Sequence, residues 1–282
     1  MRPRFDDRLE KRIFFFVIAL HLILLPLMLI ARDLLITWGI MVGREEVDFS
    51  VISLLVFTII PLLMAYAIPW KEEEKDIKFD RREAKITCIY LGVLFLWHLL
   101  AKQLKILYPM VIPATPVLPA IPFHPLHALY WFGFLFLVFL FVMIRKQSLK
   151  TIGITTRNLG RSMILVIIPF VYLLYIIFTF SFSPALVMRV AFHCLEVGII
   201  GEFLFRGFPL FRLEALGKGK AVLITGVLFA AVHGLSAFPL ALLFGLSYGL
   251  IFSKTRNILP LILIHMITDI VGNMIPYAVG VL

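Results

Sequence analysis

Hydrophobic residues form nine long runs along the chain, and the charged residues, glycines and prolines are concentrated in the short stretches between them. About 20 consecutive apolar residues in a helix cross the hydrocarbon core of a bilayer, so each run predicts a membrane-spanning helix. The runs cover residues 13–30, 50–69, 86–106, 126–144, 162–181, 186–211, 220–235, 237–253 and 258–281. Because the seventh run is short enough to be re-entrant, the pattern predicts an all-α, polytopic transmembrane helical bundle of about eight or nine spans.

The composition is that of a membrane protein. Hydrophobic residues make up 61% of the 282 residues, and the mean hydropathy is +1.01, well above the values of a soluble domain. The first run is too long for the core of a signal peptide and lacks a small-residue cleavage site, so it predicts a permanent helix. Cys88 and Cys194 fall in separate apolar runs, without the spacing of a disulfide framework or a thiolate metal site.

The positive charge is explained by membrane topology. The net charge is +10, but most basic residues lie between the apolar runs, where Lys and Arg direct orientation in the bilayer. We therefore expect no nucleic-acid partner. The N-terminal arm and every second connection together carry 21 basic residues, whereas the connections on the opposite side carry 4. Because basic residues are enriched on the cytoplasmic side, this difference predicts a cytoplasmic N-terminus, and nine spans would leave the C-terminus outside.

Two connections carry conspicuous patterns that we do not assign to catalysis. The mixed-charge run 71–76 is typical of a solvated or interfacial segment. Prolines at every third position from Pro113 to Pro125 predict an extended strap. His124 and His127 lie at its end without a carboxylate or thiolate beside them, which favours an interfacial pair over a metal site.

The sixth run contains two charged residues four positions apart, Glu202 and Arg206. Residues at this spacing share one face of a helix. An ionised side chain at bilayer depth costs at least about 2.5–3.5 kcal/mol, so such a pair indicates a functional site. The alternative is a structural ion pair that locks two helices together.

Three further polar residues lie in the C-terminal runs: His233, His265 and Asp269. Counting about 1.5 Å per helical residue from the flanking basic residues places them and Glu202 at similar depths, about 14–20 Å from the cytoplasmic boundary. Acid, base and hydrogen-bonding groups at one level are the components of a site that activates water and stabilises an oxyanion. The alternative for each histidine is a hydrogen bond between helices.

These residues resemble three motifs of the CAAX prenyl protease type II and bacteriocin-processing family of intramembrane glutamic endopeptidases. Gly201-Glu202 to Arg206, Phe229 to His233, and His265 to Asp269 correspond to its Glu-Glu-x-x-x-Arg, Phe-x-x-x-His and His-x-x-x-Asn/Asp motifs, in the same order. The resemblance covers about residues 185–275. It implies N-terminal transmembrane helices with cytoplasmic loops over 1–160, and a protease-like core bundle over 161–282.

One position departs from the family pattern. The resemblance implies that the first glutamate of the pair activates water with the histidine of the second motif, but Gly201 occupies that position. It assigns Glu202, with Arg206, to orienting the site. Gly201 also has a structural interpretation, since with Gly198 it makes a smooth surface for helix packing; an engineered change is a further one.

The resemblance thus implies that this multi-pass membrane protein is an intramembrane endopeptidase, and we expect it in a prokaryotic plasma membrane. By the same resemblance, the substrate would be a membrane-associated peptide or lipidated protein, such as a prenylated C-terminus, a leader peptide or a C-terminal sorting helix. The proposed catalytic residues are Glu202, Arg206, His233, His265 and Asp269. Glu202, or water held by it with His233, would attack the carbonyl, while His265, oriented by Asp269, would donate to the oxyanion.

Three alternatives remain open from the sequence. We expect no cofactor and no metal, although Glu202, His233 and His265 are competent zinc ligands. Gly201 favours a catalytically impaired relative that serves as a membrane peptide-binding subunit or chaperone. A proton-coupled transporter would also use buried charges, but the sequence has no internal repeat of the kind transporters often carry.

Overall fold

The computed structural model describes residues 7–31, 50–70, 79–103, 125–234 and 237–278. Within these ranges the chain is helical and contains no strand, which confirms the all-α prediction. The helices are α1 (Asp7–Ile30), α2 (Ser50–Ala67), α3 (Arg81–Gln103), α4 (Pro125–Ile144), α5 (Leu159–Thr179), α6 (Pro184–Glu202), α7 (Pro209–Leu213), α8 (Lys218–His233), α9 (Phe238–Thr255) and α10 (Leu259–Ala278). The charged run 71–76 and the proline-rich stretch up to His124 lie outside the described residues, as does the side chain of His127.

Every predicted run contains a helix, but the helices differ in their capacity to span a membrane. Within the described ranges, four are long and apolar enough: Arg8–Ile30, Ser50–Ala67, Leu159–Thr179 and Phe238–Thr255. Shorter apolar helices cover Leu135–Ile144 and Leu259–Met274. The count of eight or nine spans, and the side of each terminus, therefore remain predictions.

The sixth run differs from the single regular helix that its pattern predicts. After α6 the chain makes a wide π turn over Phe203–Gly207, in which the Phe208 N–H donates to the Phe203 carbonyl at 3.0 Å. Pro209 then begins α7. A proline within a helix has no N–H and crowds the carbonyl four residues earlier, which explains a wider turn at this point. Glu202 is the last residue of α6, and Arg206 lies within the turn itself.

Close helix contacts hold the C-terminal helices together. A Cβ added at Gly245 on α9 would lie 2.7 Å from the carbonyl oxygen of Gly226 on α8. A Cβ added at Gly198 on α6 would lie 3.0 Å from the carbonyl oxygen of Ile262 on α10. Small residues permit such close backbone approach in membrane bundles. These two crossings bring α6, α8, α9 and α10 around a common centre.

The N-terminal helices belong to the same packed body. One hydrophobic core includes Val17 of α1, Phe57 of α2 and Leu94 of α3 together with residues of α5 to α10. Between α1 and α2, the His21 ring Nε2 lies 2.7 Å from the Thr58 hydroxyl. The domain boundary at residue 160 is therefore crossed by one continuous core, and it stays a prediction.

Candidate active site

The centre of the candidate site is the carboxylate of Glu202, which is fully buried. Its Oε1 accepts a hydrogen bond from Arg206 Nη1 at 3.1 Å and another from His265 Nδ1 at 2.8 Å. The predicted pairing of Glu202 with Arg206 is therefore present. The other oxygen, Oε2, is also buried and has no hydrogen-bond partner in the described part of the chain. Glu202 thus links α10 to the wide turn that follows α6.

Arg206 is fully buried, and its charge is balanced by more than the carboxylate. Its Nη2 lies 3.5 Å from the Gly245 carbonyl oxygen. The guanidinium carbon lies 4.1 Å from the centre of the Phe229 ring and 5.7 Å from that of Tyr248. Cation–π contacts are strongest where water is absent. Two aromatic faces and a backbone carbonyl therefore accommodate the buried cation beside Glu202.

His265 is held between two carboxylates. Its Nδ1–H donates to Glu202, whereas its Nε2 lies 3.5 Å from Oδ2 of Asp269, one turn further along α10. We expected Asp269 to orient this ring, but the shorter bond is the one to Glu202. The Asp269 side chain is 29% exposed and Glu202 is fully buried, so the more rigid partner of the ring is Glu202.

His233 ends α8 and lies on the other side of Phe229. Its Nδ1–H donates to the Phe229 carbonyl oxygen at 2.7 Å. The Phe229 ring centre is 4.5 Å from the His233 ring and 5.8 Å from the His265 ring, so the two imidazoles lie within about 10 Å of each other. Phe229 therefore touches both histidines and Arg206, and its ring fixes their separation.

A cavity of about 540 Å³ opens next to these histidines. Its polar lining includes His233, His265 and Asp269, and these three predicted residues therefore meet in one space. Glu202 and Arg206 do not line it; they lie behind His265. We expected Glu202 to face His233, and this detail is different because Glu202 Oε1 is engaged by Arg206 and His265 instead.

Two residues of the site were missed by the sequence-based prediction. The Tyr248 hydroxyl donates to Thr268 at 3.0 Å, and both residues line the cavity. Phe229 marked a motif but received no role. An aromatic residue in an apolar run is normally part of the core, so the sequence indicated no role for Tyr248, and the motif marked Phe229 without indicating its contacts. The N-terminal helices also supply walls that no motif indicated: Leu24, Met28, Ser50, Ser53 and Leu54.

The C-terminal helices match a known family. Residues 183–271 match the family model described as Type II CAAX prenyl endopeptidase Rce1-like. This segment belongs to that family of proteases. The matched CAAX endopeptidase segment contains all five predicted catalytic residues, and the resemblance inferred from the three motifs is confirmed over it. None of the curated proteins and none of the solved structures matches the chain significantly.

The family and the apolar helices together make the chain an integral membrane protein with a protease-type core. The N-terminal helices lie outside the CAAX endopeptidase segment, yet α1 and α2 form part of the cavity wall beside it. The space next to the histidines is therefore enclosed by both halves of the chain.

Gly201 faces the ring of His265. A Cβ added there would lie 3.2 Å from Cε1 and 3.7 Å from Nδ1 of His265, and these are its contacts within 4 Å in the described chain outside its own stretch of helix. Gly198 is different, because a Cβ there would meet the backbone of Ile262 and Met266. Helix packing thus explains Gly198 better than Gly201, which leaves an open position beside the imidazole.

The described residues contain no group of three or more histidine, cysteine, aspartate or glutamate side chains arranged to hold a metal ion. His233 and His265 share the cavity, but the Glu202 oxygen nearest to His265 already accepts two hydrogen bonds. The arrangement is better suited to proton transfer and hydrogen-bond donation than to a three-ligand metal site.

Proposed function

We propose that the protein is an intramembrane endopeptidase that hydrolyses a peptide bond of a membrane-associated substrate. The observation that carries this proposal is the arrangement at the cavity, where His233 and His265 meet and Glu202 with Arg206 holds His265 from behind. The position of this arrangement within a CAAX endopeptidase segment supports the same reaction class.

In the proposed mechanism His233 is the general base. Because its Nδ1–H is bonded to the Phe229 carbonyl, His233 acts through Nε2, which takes a proton from water as the water oxygen attacks the scissile carbonyl carbon. The C–N bond then breaks, and the leaving nitrogen takes that proton from His233. General-base assistance of this kind typically contributes about 10²–10⁴-fold.

His265 is the proposed oxyanion stabiliser. Its Nδ1–H is engaged by Glu202, so donation to the developing oxyanion comes from Nε2–H, on the side that faces Asp269. This role requires a hydrogen on both ring nitrogens, and a carboxylate lies next to each of them: Glu202 at Nδ1 and Asp269 at Nε2. Preorganised donors at the place where charge develops are a large source of rate enhancement. Glu202 therefore acts through His265, and Arg206 holds the Glu202 carboxylate in place.

The cavity favours an apolar substrate segment near the scissile bond. Leu24 and Met28 of α1, Leu54 of α2 and Phe244 of α9 form much of its wall. A prenylated C-terminus, a leader peptide and a C-terminal sorting helix all provide such a segment. The description of the family as prenyl endopeptidases puts the prenylated C-terminus first.

The test is cleavage of defined peptides by the purified protein in lipid nanodiscs, with products identified by mass spectrometry. Prenylated, leader-type and sorting-helix peptides are compared at equal concentration. We expect His233→Ala and His265→Ala to abolish cleavage. Equal cleavage by the wild type and both histidine variants would refute the proposed site.

A second function is favoured by Gly201, which provides no carboxylate beside His265. In this case the protein binds the peptide in the cavity and presents it to another enzyme. The discriminating result is saturable binding of the same peptides without any product, in a sample whose fold is confirmed by a cooperative thermal transition. Binding that depends on the cavity wall but not on His233 would establish the non-enzymatic role.

A further inference from the structure

A third histidine, His98 of α3, contacts the helix that carries His233. It lies outside the CAAX endopeptidase segment and is only 6% exposed. Its Nε2 lies 3.0 Å from the carbonyl oxygen of Val232, the residue before His233. A carbonyl oxygen only accepts, so Nε2 of His98 carries the proton and donates.

The hydrogen bond from His98 to Val232 lies at the C-terminal end of α8, where the carbonyl groups need hydrogen-bond donors. The last carbonyl groups of an α-helix have no N–H partner within the helix, and α8 ends at His233. Gly234 follows with φ +87° and closes the end through a 3.3 Å bond from its N–H to the Ala231 carbonyl. His98 serves the neighbouring carbonyl, that of Val232. An imidazole at a helix C-terminus also interacts favourably with the helix dipole.

This bond fixes the peptide from which the His233 side chain projects. The ring of His233 is constrained on its other side by its own bond to the Phe229 carbonyl and by the Phe229 ring. Rotation of the Val232–His233 peptide would move Nε2 of His233 within the cavity. A misplacement of about 1 Å can cost about 10²-fold in rate.

We propose that His98 is a positioning residue for His233. His98 does not line the cavity and so does not touch substrate. It holds the end of α8 in the orientation that directs His233 into the cavity. The proposal rests on the proposed function only for its effect on rate; its effect on the His233 ring is independent of any reaction.

The test replaces His98 with two amide side chains of different length. In His98→Gln the amide nitrogen takes the position of Nε2 and can still donate to Val232, whereas in His98→Asn it falls short. His21→Asn is the control, because His21 is also buried and its hydrogen bonds go to Val17 of α1 and Thr58 of α2 rather than to α8. Nitrogen-15 spectra of labelled histidine rings, with His233 assigned through His233→Ala, report its tautomer and titration. The cleavage assay reports kcat and KM.

We expect His98→Asn to change the tautomer ratio or titration of His233 and to lower kcat by about 10- to 100-fold with little change in KM. His98→Gln should restore both within about threefold, and His21→Asn should leave the His233 signals unchanged. If His98→Asn and His98→Gln give the same His233 signals as the wild type, the proposal is overturned. If His98→Asn alters the His233 signals but the wild type cleaves none of the peptides, positioning by His98 is supported and the endopeptidase function fails.

Discussion

Two buried glutamates in this protein, Glu10 and Glu202, differ in what surrounds them. Glu10 on α1 is 1% exposed, and its Oε1 accepts from Lys254 Nζ at 2.9 Å and from the Tyr66 hydroxyl at 2.9 Å. Its Oε2 lies 3.6 Å from Lys218 Nζ. Glu202 is 0% exposed and bonds one arginine and one histidine. Both carboxylates are equally hidden from solvent, so burial alone does not distinguish them.

The two glutamates differ in whether the residues that bond to them line the cavity. The partners of Glu10 lie on α2, α8 and α9, and among the described residues neither Glu10 nor these partners line the cavity. The histidine bonded to Glu202 does line it. A lysine or tyrosine stays in one protonation state near neutral pH, whereas an imidazole changes its charge there. A buried carboxylate therefore indicates a reaction site when it supports a titratable group at a cavity.

The strongest test of this distinction removes each negative charge without changing shape. Glu202→Gln should lower kcat by about 10²–10⁴-fold, because His265 loses the carboxylate that accepts its Nδ1–H and orients its ring. Glu10→Gln should lower the free energy of unfolding by about 1–3 kcal/mol, because it weakens a buried network, and should leave kcat unchanged. Both are measured as single-turnover cleavage and as thermal unfolding in the same nanodiscs. Equal loss of activity in the two variants would remove the distinction.

The next test adds a carboxylate next to His265. Gly201→Glu should raise kcat by about 10-fold or more, because a second general base, in addition to His233, would then lie beside the His265 ring. The His265 ring must move by a few tenths of an ångström to admit the new Cβ, which costs about 1–3 kcal/mol of stability. Gly201→Ala is the matched control, since it imposes the same contact without the carboxylate.

Comparison of the two substitutions separates chemistry from packing. A gain in rate with glutamate and not with alanine would show that the lack of a carboxylate at position 201, in addition to the base His233, limits the reaction. A wild-type rate that neither substitution improves, in variants that stay folded, would show that Gly201 is compatible with full activity.

A smaller effect on kcat is expected from substitution of Tyr248, whose ring lies near the Arg206 guanidinium. Tyr248→Phe keeps the ring near the guanidinium and His265 but removes the hydroxyl that bonds Thr268. We expect less than about a threefold change in kcat and a loss of about 1 kcal/mol in stability, the usual net value of one hydrogen bond. A loss of kcat above 100-fold would instead make the hydroxyl a direct participant, and Thr268→Val would then be needed to locate its partner.

The smallest effect is expected from metal removal. Incubation with EDTA, followed by dialysis, should change the cleavage rate by less than about twofold, because the proposed reaction uses His233 and His265 without a metal. The control adds zinc back to the treated sample. Inactivation by EDTA with recovery on addition of zinc would contradict the glutamate- and histidine-based mechanism.

Much of this arrangement was predictable because it depends on local spacing. The apolar runs gave the helices, and the four-residue spacing of Glu202 and Arg206 gave their ion pair. The wide turn after Glu202 was not predictable, because the 3.6-residue spacing of apolar residues does not reveal one extra residue in a single turn. Pro209 was the only local sign of it.

The direction of the Glu202 side chain was not predictable either. Whether a helix presents a residue to α8 or to α10 depends on its rotation about its own axis, which packing decides. The close approach of Gly198 to the backbone of Ile262 sets this rotation for α6. His98 lay beyond sequence reasoning for a similar reason, since its contact joins residues 134 positions apart.

The π turn over Phe203–Gly207 determines where this segment tolerates the insertion or deletion of one residue. A π turn contains one residue more than an α-helical turn that covers the same length of helix. It is therefore equivalent to one residue inserted into a regular helix. A deletion inside this turn would return the segment to regular helix, with Glu202 still on α6 and Arg212 still on α7. The stretch between Glu202 and Pro209 is therefore the place where this segment absorbs a change of one residue in length.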